Sequence, residues 1–141
     1  MDILFNKGKI KLKGKSASCD VDDKAIITRP DGTIFQIDAP GEYEASGVSV
    51  VGSLFENLII YVVEIEGLRI TVLPKLPVEK LTAEILDALG PIDICVSANQ
   101  DLAKQTDPWV VITEGVEGLP KYSITKDKLP ADLQVVVLTS K

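Results

Sequence analysis

The 141-residue chain contains no histidine at all. That absence removes Ser-His and Cys-His nucleophile systems and every metal site that uses an imidazole. Cysteine is nearly as scarce, and Cys19 and Cys95 stand too far apart in the chain to furnish a four-thiolate zinc set. Each lies in or beside an apolar, strand-like run, which predicts buried free thiols in a reducing compartment. No apolar run approaches the roughly 20 residues needed to cross a bilayer. The longest, LIIYVV at 58–63, has the length of a strand. The opening MDILFNKGKI has neither the apolar core nor the cleavage site of a signal peptide, so a cytoplasmic location is expected. Aromatic residues make up 5% and are not interleaved with basic ones, so no stacking platform for bases is visible. Phe5, Phe35, Phe55 and Trp109 are read instead as core. No glycine-rich turn carries the lysine and hydroxyl of a phosphate loop. The net charge of −6 argues against nucleic acid and anionic membrane as partners.

What is present is a chain with 45% hydrophobic and 26% charged residues, enough for one domain over 1–141 with a real core. Its first two thirds read as strands joined by tight turns. KAIITRPDGTIFQI (24–37) is a hairpin turning at Pro30-Asp31-Gly32. LIIYVVEIEGLRITVL (58–73) is a second, and a two-residue Glu66-Gly67 loop sets Ile65 opposite Leu68, Glu64 opposite Arg69, Val63 opposite Ile70 and Tyr61 opposite Val72. That register predicts an apolar face and an opposite-charge pair near the turn. KGKIKLKGK (7–15) reads as an edge strand blunted by lysines. Between the hairpins, DAPGEYEASGV (38–48) reads as a turn over Asp38 to Gly41, a short strand with Tyr43 aimed inward, and a break at Gly47.

The character changes after Pro74. Val78, Leu81, Ile85 and Leu89 recur every three or four residues, which predicts a helix beginning between Pro77 and Thr82 and stopping at Gly90-Pro91. IDICVSA (92–98), WVVIT (109–113) and LQVVVLTS (133–140) are near-continuous β-branched runs with a polar segment, NQDLAKQTD, that can hold a short helix. Such runs suit strands buried on both faces. The expected class is α/β: a β-rich two-sheet sandwich with few helices.

The chemistry left is that of carboxylates, lysine, tyrosine and hydroxyls. The densest acids, Asp38, Glu42 and Glu44, offer oxygen ligands of the kind Mg²⁺ or Ca²⁺ takes. Two adjacent acids on one side of a strand read more simply as a solvated face.

The order of motifs resembles the metallo-β-lactamase-like hydrolases, in particular the compact bacterial branch similar to L-ascorbate-6-phosphate lactonase. The resemblance rests on APGEYEASGV (39–48), NLIIYVVEIEGLRITVLPKL (57–76), LTAEILDALGPIDICVSA (81–98) and PWVVITEG (108–115), in that order. It implies a truncated form of a four-layer αββα sandwich whose dinuclear zinc site activates water. Matched residue by residue, the family's ligands are missing. Its first histidines fall on Arg29 and Asp31, another histidine on Val72, the metal-bridging aspartate on Lys75 and the last histidine on Glu114. An ammonium at Lys75 would repel cations by several kcal/mol.

The resemblance therefore implies a degenerate member with no catalytic residues, no metal and no cofactor. Arg29, Asp31, Lys75 and Glu114 are expected to face the old pocket as a salt-bridged plug or as a tentative ligand site. Loss of covering helices is expected to leave apolar sheet surface that a homo-oligomer, most simply a dimer, or another protein would bury. The leading functional expectation is a catalytically inactive module acting by self-association or protein binding. The alternatives are a domain that senses a small anion through Arg29 and Lys75, and a non-zinc hydrolase using Asp31, Glu42 or Glu114 beside Lys75.

Overall fold

A computed structural model describes residues 1–6 and 8–139. Along the chain come β1 (Asp2–Asn6), β2 (Lys9–Lys13), β3 (Ser18–Val21), β4 (Ala25–Thr28) and β5 (Ile34–Ile37). β6 (Gly41–Ala45), β7 (Val48–Phe55), β8 (Leu58–Ile65) and β9 (Leu68–Val72) follow, then α1 (Ala83–Leu89), β10 (Ile94–Val96) and α2 (Gln100–Lys104). β11 (Val110–Leu119), β12 (Tyr122–Ser123), a 3₁₀ turn (Lys126–Lys128) and β13 (Gln134–Leu138) complete the order. The strands form two sheets, β12-β1-β2-β3-β4-β5 and β13-β11-β10-β9-β8-β7-β6. The first is antiparallel, and in the second β9, β10, β11 and β13 run parallel.

Period-2 alternation explains how the sheets pack. Ile10, Leu12, Cys19, Val21 and Ile27 of the first sheet meet Val50, Tyr61, Val63, Ile70, Ile94 and Ile112 of the second in one core. The alternate residues of the second sheet, Ile60, Val62, Cys95 and Val111, pack under Ile85 and Leu89 of α1 and Leu102 of α2. β8, β10 and β11 are thus apolar on both faces because both faces are covered. The result is a ββα arrangement: among the described residues, no helix covers the outer face of the first sheet. That face is mainly polar, with Leu4, Ile26 and the exposed Ile34 among its charged residues, and Lys9–Asp22, Lys11–Asp20 and Lys121–Asp2 pair across it, each at 3.6 Å.

The 58–73 hairpin has the register expected, with Ile65 opposite Leu68 and Tyr61 opposite Val72. Glu66 and Gly67 take φ of 53° and 81°, the left-handed pair that a two-residue loop with the twist of its strands requires. The 24–37 hairpin, the short second helix and the parallel late strands also form as read. Thr82 caps α1 by accepting a hydrogen bond from the Ile85 N–H, so the helix starts at the late limit of the expected range.

Four expectations need correction. β2 is no edge strand but lies between β1 and β3, because the lysines are neutralised by Asp20 and Asp22 on β3; Lys7 lies outside the described residues. Val78 precedes the helix and is 42% exposed. Trp109 is 45% exposed, since it sits just before β11 on the helical side of the sheet. Glu64 and Arg69 are opposite in register yet form no ion pair. The Arg69 guanidinium instead donates to the carbonyls of Leu89 (2.9 Å) and Pro91 (2.7 Å), satisfying the C-terminal turn of α1.

Candidate functional site

Strand direction decides which residues can share a site. The carboxyl end of the sandwich, where β9, β10 and β11 finish, also receives the β1–β2, β3–β4 and β7–β8 turns. The opposite, amino end receives the β2–β3, β4–β5, β6–β7 and β8–β9 turns. Lys75, just after β9, and Glu114, the last residue of β11 paired before its irregularity, are therefore at the carboxyl end. Arg29 and Asp31, in the β4–β5 turn, are at the amino end. β4 follows β3 through a tight turn and runs antiparallel to it, which carries its own C-terminus away from Lys75.

The pocket of four expected from sequence is accordingly not assembled. Arg29 donates to the Thr33 hydroxyl (3.3 Å) and the Ile34 carbonyl (3.4 Å), and its guanidinium lies 5.8 Å from the Phe35 ring centroid. Asp31 accepts from the Thr33 hydroxyl (2.7 Å) and backbone N–H (3.0 Å), which hold its carboxyl below the usual range. Both residues are thus committed to their own turn. Lys75 and Glu114 are exposed, and no ion pair joins any two of the four. Glu42 and Glu44 are exposed as well, on the open side of β6, while Tyr43 packs inward against Phe35 and donates to the carbonyls of Ala39 and Pro40, both at 3.1 Å.

A cavity of about 440 Å³ does open at the carboxyl end, between the two sheets. Phe5, Ile10, Ile59 and Val72 form its walls, and Asp22 and Asp23 stand on its rim in the β3–β4 turn. Burial opposes ionisation of Asp22, but the Lys24 N–H (3.1 Å) and the Lys9 ammonium (3.6 Å) outweigh it and leave its pKa lowered. Behind the mouth the buried Tyr61 hydroxyl donates to the Ile37 carbonyl at 3.2 Å. Burial pushes that phenol up, and the negative charges of Asp38, Asp23 and Asp22 add to the effect.

These residues do not fit the zinc pair that the sequence resemblance implies. The chain has no histidine, and among the described residues no group of three or more Cys, Asp or Glu is placed to hold an ion. The thiols are no substitute, because burial pushes Cys19 and Cys95 up to about 12.

The buried charge sequence reasoning missed is Asp93, at the amino end. It accepts from both Lys126 Nζ (2.9 and 3.0 Å) and the Arg69 backbone N–H (2.9 Å). One signal was available, an acid directly before an apolar strand in IDICVSA; its partner Lys126 is distant in sequence and was not legible.

No family model matches the chain, and no curated protein matches it. Among solved structures it is similar to a Thermotoga maritima protein described as a candidate Zn-dependent hydrolase of the metallo-β-lactamase superfamily, with a TM-score of 0.67 and 18% identity over 99% of each chain. The likeness shows a metallo-β-lactamase-like fold. Because each chain is covered almost fully, the compact size is common to both. No described helix is long and apolar enough to cross a membrane.

Proposed function

We propose that this chain is a non-catalytic form of the metallo-β-lactamase-like fold, acting in the cytoplasm by pairing with a second copy of itself along the β11–β13 edge. The observation that carries the reading is a concentration of exposed apolar side chains there: Trp109, Val116, Leu119, Leu133 and Val135. β13 is also one of the two outermost described strands of its sheet, the other being β6, so its backbone edge is a template for another strand. Two such edges related by a two-fold axis bury the same row of residues on both copies. The three ion pairs on the helix-free face of the first sheet favour this edge over that face as the contact. Loss of catalysis is supported by the missing histidines and by the separation of Arg29 and Asp31 from Lys75 and Glu114. That separation also means that no single small anion can bridge Arg29 and Lys75.

Sedimentation velocity over a wide concentration range tests the pairing. The expected result is a dimer that Val135→Lys and Leu133→Lys convert to a folded monomer. A chain that stays monomeric throughout the range would refute self-association and leave this edge to a different protein.

A further inference from the structure

The β13 edge is only partly open, because the chain folds a piece of itself over it. The Gln134 N–H donates to the Trp109 carbonyl at 3.0 Å, so the backbone polar groups of Gln134 point toward β11. Along a strand these groups alternate sides, and those of Leu133, Val135, Val137 and Thr139 therefore point outward. The outward Thr139 N–H donates to the Leu119 carbonyl at 2.9 Å. Leu119 thus lies on the far side of β13 from the body of β11. The register break at which Leu138 pairs with both Glu114 and Leu119 is the crossing. Residues 115–118 form a strap over Val137, and two glycines let it pass. A Cβ on Gly118 would collide with the Val137 carbonyl oxygen, and one on Gly115 would lie 2.6 Å from Val137 Cγ1.

We propose that this strap confines self-pairing of the β13 edge to one antiparallel register, with the two-fold axis between the two copies of Gln134; the register rests on the self-association proposed above. The strap covers the outward groups at Val137 and Thr139, which leaves those of Leu133 and Val135. Edges related by a two-fold axis run antiparallel, and a hydrogen-bonded pair needs outward groups on both residues. Setting Leu133 opposite Val135 of the second copy uses each free group on both sides of the axis. A shift that set Val135 opposite its own counterpart would bring Leu133 against Val137, whose carbonyl is already covered, and only the central pair would form. The favoured register also sets Leu133, 45% exposed, against Val135, 39% exposed, on one face of the joined sheet. Two apolar cross-strand contacts then flank the axis.

Cysteine cross-linking of the full-length chain tests the register, with the native thiols left in place because both are buried. Counterparts in a non-hydrogen-bonded pair have Cα atoms about 4.5 Å apart, within the roughly 4.4–6.8 Å that a disulfide spans. Diagonal neighbours are about 7–8 Å apart. Gln134→Cys is therefore expected to oxidise mostly to a covalent dimer, and Val135→Cys several-fold less. Adding Leu133→Lys to Gln134→Cys should abolish the cross-link, which excludes random collision. Gly118→Ala pushes the strap off the Val137 carbonyl; it should lower the Gln134→Cys yield several-fold by admitting other registers, while sedimentation still shows a dimer. Val135→Cys cross-linking as well as Gln134→Cys would overturn the register and leave the edge contact standing. An unchanged yield in Gly118→Ala would overturn the role of the strap. A dimer that cross-links at neither position would overturn both the register and the edge, and a chain monomeric by sedimentation would overturn self-association itself.

Discussion

Replacing Asp93 separates two kinds of interaction that meet at one carboxylate. Asp93 is only 8% exposed and accepts one hydrogen bond from a backbone N–H of β9 and two from an ammonium. In Asp93→Ala the Arg69 N–H loses its acceptor at a part-buried position, which costs about 1–3 kcal/mol. Lys126, 55% exposed, turns to water and its loss adds about 0–1 kcal/mol. The sum, about 1–4 kcal/mol, corresponds to a fall in Tm of roughly 3–15 °C for a chain near this size. Asp93→Asn keeps an oxygen for the Arg69 N–H and should cost about 1 kcal/mol or less. Lys126→Met should cost no more than that. Calorimetric or circular-dichroism melts of the three variants measure the ranking. If Lys126→Met lowered Tm as far as Asp93→Ala, the exposed ion pair rather than the backbone hydrogen bond would dominate, and the reasoning would be wrong.

Arg69→Met removes two charge-assisted bonds to the end of α1 and should destabilise by about 2 kcal/mol, read from the urea midpoint; an unchanged midpoint would mean that water replaces the guanidinium without loss. Tyr61→Phe leaves the Ile37 carbonyl without its hydroxyl donor and should cost about 1 kcal/mol in the same assay. The thiols give a pH dependence of known sign. Cys19 and Cys95 stay protonated in the folded chain up to about 12 but ionise near 9.0 when unfolded. Stability from this source is therefore intact below pH 9 and falls between 9 and 12 by about 1.4 kcal/mol per pH unit for each thiol. Cys19→Ala combined with Cys95→Ala should flatten that part of the profile, and an equally steep double variant would refute the assignment.

The parts of the fold that could be read from sequence are those fixed by local geometry. A two-residue Glu66-Gly67 loop leaves one register, and alternation in LIIYVV then assigns every side chain to a face. The crossing at Asp38 to Gly41 was recognised as a turn, but not as the place where the chain passes from one sheet to the other. β2 was misjudged because its lysines were taken alone, whereas the acids that neutralise them alternate in step on β3. Trp109 was misjudged because size alone does not bury a ring when no helix covers its end of the sheet. The candidate site was the least legible. Matching motifs put Arg29 and Lys75 in one pocket, and only the direction of β4, set by a short β3–β4 turn, shows them at opposite ends. Asp22 and Asp23 had no sequence signal beyond being turn residues.

Zinc binding tests the central claim most directly, since it asks whether this chain holds the metal centre that the resemblance implies. The chain, purified without chelator and then equilibrated with excess Zn²⁺ and desalted, is assayed by elemental analysis and by melting with and without the metal. The account predicts no stoichiometric zinc and an unchanged Tm; zinc retained near one or two ions per chain, with a raised Tm, would contradict it.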